Sequence, residues 1–168
     1  MKILITGVAG LVGSHLARRL AREHDVLALT HGDLDIADRA AVQRRVAAAQ
    51  PALIVNCAVL QVDESETQPT KAHAVNIDGP RYLAEAASDV GAEIVHFSTQ
   101  YAFAGEPLAR LPYTIDDQPR PVNHYGRTKV AGEAAVLAAC ARSFIVRTSW
   151  VYGGGKQSFL CDAHHDLG

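Results

Sequence analysis

Two residues in the second half of the chain have the types and the spacing of a proton-transfer pair. Tyr125 and Lys129 lie four positions apart, so on a helix their side chains share one face. A neighbouring ammonium favours the phenolate, and we expect it to lower the pKa of the tyrosine from its ordinary value of about 10. Such a pair donates a proton to a carbonyl oxygen during reduction, or accepts one during oxidation.

A hydroxyl group that could assist this pair follows a predicted buried strand. Thr99 comes just after the apolar run Ile94–Phe97, at its carboxyl end. A hydroxyl in this place can hydrogen-bond the same substrate oxygen that Tyr125 would protonate. A tyrosine and a lysine at this spacing also occur as a solvated surface pair, so it is the two motifs together that indicate an active site.

A glycine-rich turn near the start of the chain has the pattern of a phosphate-binding loop. Gly7, Gly10 and Gly13 follow the apolar run Lys2–Thr6 and open a helical stretch. Gly7 permits a tight turn, Gly10 lets the backbone approach a pyrophosphate, and Gly13 lets the helix pack closely on the strand. The free N–H groups at the helix N-terminus favour an anion. The loop predicts a site for NADPH or NADH, with the spacing G-x-x-G-x-x-G in place of G-x-G-x-x-G.

The second predicted strand ends without the residue that usually selects between these two cofactors. An acidic side chain there binds the 2′-hydroxyl of NAD, whereas an arginine accommodates the 2′-phosphate of NADP. The strand Val26–Leu29 is followed instead by Thr30 and His31. The sequence therefore leaves the choice between NADPH and NADH open.

Strands and helices alternate along the chain in a way that would bring these motifs together. Continuous apolar strands separated by helices predict an α/β fold, a doubly wound parallel sheet that is Rossmann-like, with the strand order 3-2-1-4-5. Each motif falls at the carboxyl end of a strand, where such sheets bind ligands. The predicted strands are Lys2–Thr6, Val26–Leu29, Leu53–Asn56, Ile94–Phe97 and Phe144–Thr148, and the predicted helices are Leu11–Glu23, Asp38–Ala49, Lys71–Asp89 with a kink at Gly79-Pro80, and Asn123–Cys140.

The composition is that of an ordinary globular protein and argues against several classes of partner. The chain has 168 residues, of which 48% are hydrophobic and 20% charged, and a formal net charge of −2. We therefore expect no nucleic-acid partner, no membrane partner and no spanning segment. The three cysteines are irregularly spaced, which predicts a cytoplasmic protein without a disulfide framework. No spacing of cysteine and histidine fits a standard metal site.

Longer segments resemble the extended short-chain dehydrogenase/reductases, and most closely the dTDP-4-dehydrorhamnose reductase family. The resemblance covers nearly everything from Met1 to about Phe159. The segments that carry it are Leu34–Ile36, Val55–Ala58, Val62–Glu64, Val75-Asn76, His96–Thr99 with Tyr101 and Phe103, Tyr125–Lys129 with Gly132-Glu133, and Arg147–Gly153.

The resemblance implies a reductase that passes hydride from NAD(P)H to the C4 ketone of a dTDP-linked 6-deoxyhexulose, a nucleotide-sugar substrate. It implies that Thr99, Tyr125 and Lys129 are catalytic, that Tyr125 and Lys129 also contact the cofactor, and that Asn76 supports the site. A homodimer is compatible with the sequence. The remaining residues expected to bind the cofactor are Gly7, Gly10, Leu11, Val12, Gly13, Thr30, Asp35, Ile36, Ala58, Val59 and Leu60.

The chain departs from the family pattern at several places. Gln100 and Ala104 stand where the family usually has aspartate, Thr30 stands where an acidic residue is common, and the segment after Ala58 is one residue short. The family also continues well beyond the fifth strand, so we expect the C-terminal substrate domain to be largely missing. We expect a dinucleotide-binding domain at residues 1–160 and a tail at 161–168 that does not resemble the family.

Two other functions stay open at this point. A non-catalytic regulatory relative, such as the regulatory subunit of methionine adenosyltransferase, resembles the same family and binds a partner instead of turning over a substrate. The presence of Thr99, Tyr125 and Lys129 argues against it, whereas the lost acidic residues argue for it. A sugar-nucleotide epimerase or dehydratase also uses this fold. A dehydratase usually has acidic residues beside the catalytic hydroxyl, but Gln100 follows Thr99.

Overall fold

A five-stranded parallel sheet forms the centre of the structure, a computed structural model that describes residues 1–105 and 112–154. The strands pair so that their carboxyl ends lie along one edge of the sheet. The predicted tail 161–168 and the boundary at residue 160 lie outside the described residues. The strands are β1 (Lys2–Thr6), β2 (Asp25–Leu29), β3 (Leu53–Asn56), β4 (Glu93–Thr99) and β5 (Ser143–Thr148).

Helices cover both faces of the sheet, as the apolar strands predict. Leu16 and Leu20 of the first helix pack on one face against Ile3 and Ile5 of β1. The second, fifth and sixth helices bury their apolar residues on the opposite face, around Ile54. No helix in the described ranges is long and apolar enough to cross a membrane. The helices are α1 (Leu11–Leu20), α2 (Arg39–Ala49), α3 (Val62–Thr67), α4 (Pro69–His73), α5 (Gly79–Val90) and α6 (His124–Ala139).

The doubly wound parallel fold is confirmed, but the predicted strand order 3-2-1-4-5 is wrong. The observed order is β2-β1-β3-β4-β5, with β3 beside β1 instead of beyond β2. The reason lies in the two crossovers: α1 packs on one face of the sheet and α2 on the other. Since both connections are right-handed, a change of face reverses the direction in which strands are added. The reversal therefore falls between β1 and β3.

Side-chain caps fix the starts of two helices where the sequence predicts them. The Asp38 carboxylate accepts a hydrogen bond from the Ala41 amide at 3.0 Å and begins α2. The Asn123 side chain accepts one from the Gly126 amide at 2.8 Å and begins α6. Each cap satisfies an amide that the helix itself leaves without a partner. The cap at Asn123 matters for the site, because it sets where the first turn of α6 lies.

The predicted helix Lys71–Asp89 is instead two helices joined by a π-helical turn at Ala74–Asp78. The α-helical pattern is thus interrupted directly before Gly79-Pro80, where the sequence predicts a kink. Pro80 has no backbone N–H, so it cannot donate to the carbonyl of Asn76 as an α-helix would require. That carbonyl faces Gly132 of α6 so closely that no side chain would fit between them. The wide turn thus lets α6 lie directly against this segment.

The turn after β1 brings the ends of β1 and β3 into backbone contact. Gly7 has a φ of +71°, and a Cβ there would lie 2.5 Å from the Ala58 nitrogen and 2.6 Å from the Cys57 carbonyl carbon. A Cβ at Gly13 would lie 2.5 Å from the carbonyl oxygen of Gly7. The tight turn and the close packing of α1 that the sequence predicts at these two glycines are both present.

Replacement of Gly7 by alanine should destabilise the fold more than the same replacement at Gly91. Both glycines have a φ of +71°, but a Cβ at Gly91 would meet no atom within 4 Å. The left-handed conformation alone costs alanine about 1 kcal/mol, so we expect that loss in the free energy of unfolding for Gly91→Ala. Gly7→Ala adds a backbone clash and should lose about 3 kcal/mol or more. Urea denaturation measures both values, and equal losses would contradict the contact between Gly7 and the end of β3.

Candidate active site

An open cleft of about 1060 Å³ lies along the carboxyl ends of the strands. It runs from the turn after β1 to the first turns of α6. Of the residues predicted to bind cofactor or to act in catalysis, Thr30 is the one that lies outside its lining, and its neighbour His31 lines the cleft instead. The predicted residues that line it are Gly7, Gly10, Leu11, Val12, Gly13, Asp35, Ile36, Ala58, Val59, Leu60, Thr99, Tyr125 and Lys129.

One end of the cleft is formed by the N-terminus of α1. The helix begins after Gly10, whose backbone is extended and whose amide donates to the Gly7 carbonyl at 3.0 Å. Within the described ranges no side chain caps this helix. Its first-turn amides belong to Leu11 and Val12, which line the cleft, and they have no acceptor within the helix itself. Amides in this arrangement, together with the helix dipole, suit a phosphate group.

The segment after β2 borders the cleft beside this helix. Thr30 donates from its amide and from its hydroxyl to one oxygen of Asp33, at 2.9 and 2.7 Å. These bonds hold the pKa of Asp33 below its ordinary value. Asp35 is exposed and lies 3.9 Å from the ring of His31, whereas Ile36 is buried. An imidazole and a carboxylate thus face the cleft together at the place where a cofactor's adenosine ribose would be selected.

Asn76 joins the loop after β3 to α6. Its side-chain oxygen accepts from the Leu60 amide at 2.9 Å, and its nitrogen donates to the Leu60 carbonyl at 3.1 Å. The same nitrogen lies 3.2 Å from the hydroxyl of Thr128, which donates to the Tyr125 carbonyl at 2.8 Å. All these groups are buried or nearly so. The loop Ala58–Leu60 and the first turn of α6 are therefore held by a single amide side chain.

Thr99 and Tyr125 meet at the other end of the cleft. Both side chains are buried, with 6% and 9% of their surface exposed, and both line the cleft. The ring of Tyr101 meets the Tyr125 ring edge-on, with 5.8 Å between centroids. Burial raises the pKa of Tyr125, against the smaller opposite effect of the Thr99 hydroxyl. The expectation of a lowered pKa is therefore wrong in direction, because desolvation of the phenolate raises it.

Lys129 lies on α6, one turn after Tyr125, and is almost fully buried. Only 2% of its surface is exposed, and its ammonium nitrogen donates to the carbonyl of Phe97 at 2.8 Å. The same nitrogen lies 3.3 Å from Nε2 of His96. Burial lowers the pKa of Lys129 to about 8, although the nearby carboxylate of Glu133 raises it. The side chain can therefore gain and lose a proton close to neutral pH.

Glu133 connects α6 to β4 and β5. Its carboxylate accepts a hydrogen bond from the hydroxyl of Ser98. It also accepts three bonds from the guanidinium of Arg147, at 3.0, 3.2 and 2.6 Å. This paired carboxylate holds α6 against β4 and β5, and so fixes the distance of Lys129 and Tyr125 from the end of β4. The spacing of four between Lys129 and Glu133 is a signal in the sequence that the prediction did not use.

The assembled groups have the chemistry of a carbonyl-reducing site. Two hydroxyls at the cleft wall, Thr99 and Tyr125, can both hydrogen-bond one substrate oxygen, and a lysine lies behind them. No group of three or more His, Cys, Asp or Glu side chains in residues 1–105 and 112–154 is placed to hold a metal ion. The residue that the sequence prediction missed is His96, whose position inside β4 gave no sign that it contacts Lys129.

Comparison with known proteins identifies relatives of this arrangement. A dTDP-4-dehydrorhamnose reductase of Mycolicibacterium smegmatis is 50% identical over 159 residues, which are 94% of this chain and 48% of the relative. One of Streptomyces griseus is 46% identical and is matched over 52% of its length. The crystal structure of a dTDP-4-dehydrorhamnose reductase of Bacillus anthracis in complex with NADP superposes with a TM-score of 0.92 and 35% identity, over 99% of this chain and 59% of that one.

The match to a family confirms the resemblance seen in the sequence. The chain spans about half the length of the curated relatives it matches. The profile of the family described as the RmlD substrate binding domain matches residues 1–164. The chain therefore belongs to the RmlD substrate binding domain family.

Proposed function

We propose that this chain is the dinucleotide-binding part of a reductase that uses NADPH or NADH to reduce the ketone of a dTDP-linked sugar. The observation that carries the proposal is the single cleft, which joins the uncapped N-terminus of α1 to the hydroxyls of Thr99 and Tyr125. Similar proteins support it, since they are named dTDP-4-dehydrorhamnose reductases and one was crystallised with NADP. The regulatory relative and the epimerase or dehydratase find no such support and are not favoured.

The residues at the first end of the cleft fit a dinucleotide. Gly10 carries no side chain, and a Cβ there would meet only the Gly7 carbonyl oxygen, at 3.2 Å, so the space above it is open. The amides of Leu11 and Val12 would bind the pyrophosphate. His31 and Asp35 would lie near the adenosine ribose. Thr30 would act there through its bonds to Asp33 and not by direct contact.

The walls between the two ends fit the rest of the cofactor. Ile36 would contact the adenine, and Ala58, Val59 and Leu60 would line the path of the cofactor along the cleft. Gly7 and Gly13 would serve indirectly, since they close the turn that presents the amides. Tyr125 and Lys129 would meet the nicotinamide end. Every residue predicted from the sequence thus has a place in the proposal.

The bound cofactor would supply hydride to the C4 carbonyl of the sugar. The Tyr125 hydroxyl would donate its proton to the carbonyl oxygen, while the Thr99 hydroxyl holds that oxygen in place. Because burial raises the pKa of Tyr125, the phenol keeps its proton through neutral and mildly alkaline pH. Lys129, buried beneath, would return a proton to the phenolate. General acid catalysis of this kind contributes about 10²- to 10⁴-fold to a rate.

The proposal also covers the compartment, the partners and the domain boundaries of the protein. A nucleotide sugar is the substrate, and the free thiols of Cys57 and Cys140 fit a reducing cytoplasm. A homodimer and the absence of nucleic-acid and membrane partners belong to the same proposal. So do the domain boundaries, a dinucleotide-binding domain at residues 1–160 and a tail at 161–168 that does not resemble the family.

Binding of the cofactor is tested by replacing Gly10 with aspartate and with asparagine. Aspartate is a good N-cap residue, so we expect Gly10→Asp to fold with a stability within about 1 kcal/mol of the parent. Its carboxylate would lie beside the pyrophosphate and weaken binding about 100-fold. Gly10→Asn has the same shape without the charge and should lose much less affinity. Titration of the purified chain with NADPH and with NADH measures each Kd and shows which cofactor is preferred.

Two outcomes of that titration would contradict the proposal. If the folded parent chain binds neither cofactor, the dinucleotide site is wrong. If the aspartate and asparagine variants bind equally well, the anion does not lie at the N-terminus of α1.

The role of Tyr125 is tested by Tyr125→Phe. The variant lacks the proton donor and should lose at least about 100-fold in the rate of NADPH oxidation with dTDP-4-dehydrorhamnose, at an unchanged Kd for NADPH. Tyr82→Phe serves as the control, because the Tyr82 ring packs against Arg81 on α5, outside the cleft. Stopped-flow or steady-state absorbance follows the oxidation. Oxidation of NADPH by Tyr125→Phe at the rate of the parent chain would refute the role of Tyr125 and leave the cofactor site standing.

A further inference from the structure

His96 is a buried histidine for which the proposed reaction has no use. It lies in the middle of β4 with none of its surface exposed. Its Nδ1 is 3.0 Å from the side-chain nitrogen of Asn56, and its Nε2 is 3.3 Å from the nitrogen of Lys129. A buried imidazole with a polar neighbour at each ring nitrogen must have a definite protonation state, because neither nitrogen can turn to water.

The orientation of Asn56 is fixed by a backbone amide. Its side-chain oxygen accepts from the Ala58 amide at 3.1 Å and from the Thr6 hydroxyl at 2.7 Å. A backbone N–H can only donate, so the group that faces it must be the oxygen of the Asn56 amide and not its nitrogen. The nitrogen therefore faces His96 and presents a hydrogen to Nδ1.

This orientation decides which nitrogen of His96 holds the proton. Nδ1 must accept from Asn56, so it carries no hydrogen. A doubly protonated ring would set its Nδ1 hydrogen against the Asn56 amide hydrogens, and burial also keeps the pKa of His96 well below its ordinary value. The ring is therefore neutral with its hydrogen on Nε2, and that N–H points at Lys129.

An N–H aimed at Lys129 favours one charge state of the lysine over the other. A free amine has a lone pair that accepts a hydrogen bond from this N–H. An ammonium has no lone pair, so its hydrogens and the hydrogen of the N–H repel each other. The carbonyl of Phe97 accepts at 2.8 Å and favours the ammonium, because a charged donor makes the stronger hydrogen bond. Among the described residues, His96 thus supplies the contact that specifically penalises the ammonium by hydrogen bonding.

The other charged and titratable groups near Lys129 either favour its ammonium form or are uncharged. Glu133, on the same helix, favours the ammonium, but Arg147 from β5 already pairs with this carboxylate. Cys57, at the end of β3, would favour the ammonium only as a thiolate, and burial raises its pKa to about 12. Tyr125, one turn earlier, is also kept uncharged by burial.

We propose that His96 is a positioning residue whose Nε2–H, oriented by Asn56, holds Lys129 ready to release its proton. The consequence for catalysis rests on the proposed function: a lysine with little preference for its ammonium form can return a proton to the Tyr125 phenolate in each turnover. The chain of contacts runs from Thr6 on β1 through Asn56 on β3 and His96 on β4 to Lys129 on α6. It thus links three neighbouring strands to Lys129.

The tautomer of His96 is measured directly on the parent chain. Long-range proton–nitrogen correlation spectra of the chain, labelled with nitrogen-15 histidine, separate a protonated from an unprotonated ring nitrogen. The spectrum of His96→Gln identifies the signals of this residue. We expect Nε2 protonated and Nδ1 unprotonated from pH 5 to pH 9, without titration. A hydrogen on Nδ1, in either a neutral or a charged ring at neutral pH, would overturn the proposal.

The effect on Lys129 is measured by titrating its side-chain signals in parent and variant chains. The amide side chain introduced by His96→Gln reaches the place of Nε2 and can turn its carbonyl towards the ammonium, so the Lys129 titration midpoint should shift to higher pH. His73→Gln is the control, because His73 is exposed and pairs with Asp78 away from the cleft. An unchanged or lowered midpoint in the folded variant would overturn the proposal. Neither measurement needs cofactor or substrate, so failure of the reductase proposal would not affect the result.

Discussion

The contact between the ends of β1 and β3 is the constraint on which the rest of the site depends. At Gly7 the backbone turns away from β1 while it touches the backbone of Cys57 and Ala58. A crevice forms between two loops where the connections that follow adjacent strands lie on opposite faces of the sheet. The same contact directs α1 towards this crevice. The cleft thus follows from the topology of the sheet and does not depend on the side chains that line it.

Polar side chains buried around the cleft then set its chemistry. Asn56, Asn76 and Glu133 are each almost fully buried, and each joins segments that are distant in sequence. Their hydrogen bonds must all be made, because an unpaired buried polar group costs about 1–3 kcal/mol. Such groups therefore allow little variation in where Tyr125 and Lys129 lie. Precision at the catalytic end comes from these amide and carboxylate contacts more than from apolar packing.

The sequence predicts the elements and the site well, and the strand order poorly. The motifs at Gly7, Thr99 and Tyr125 are local, because each depends on a strand end and the turn that follows it. The strand order depends on which face each helix covers, which periodicity does not reveal. The pKa of Tyr125 was also predicted in the wrong direction, because spacing shows the neighbouring lysine but not the burial that opposes it. His96 escaped prediction for the same reason, as its partners come from β3 and α6.

The π-helical turn at Ala74–Asp78 lies between the regular helices α4 and α5 and contains Asn76. A π turn accommodates one residue more than an α-helix of the same length. Loss of a single residue here would restore regular α-helical geometry and leave α4 and α5 in nearly the same register, because the wide turn already accommodates the additional residue. Leu83 and Ala87 would keep their places on the sheet, whereas Asn76, inside the turn, would change direction and lose Leu60. The irregular turn thus sets the direction of the one side chain that joins the loop after β3 to α6, without disturbing the core on either side.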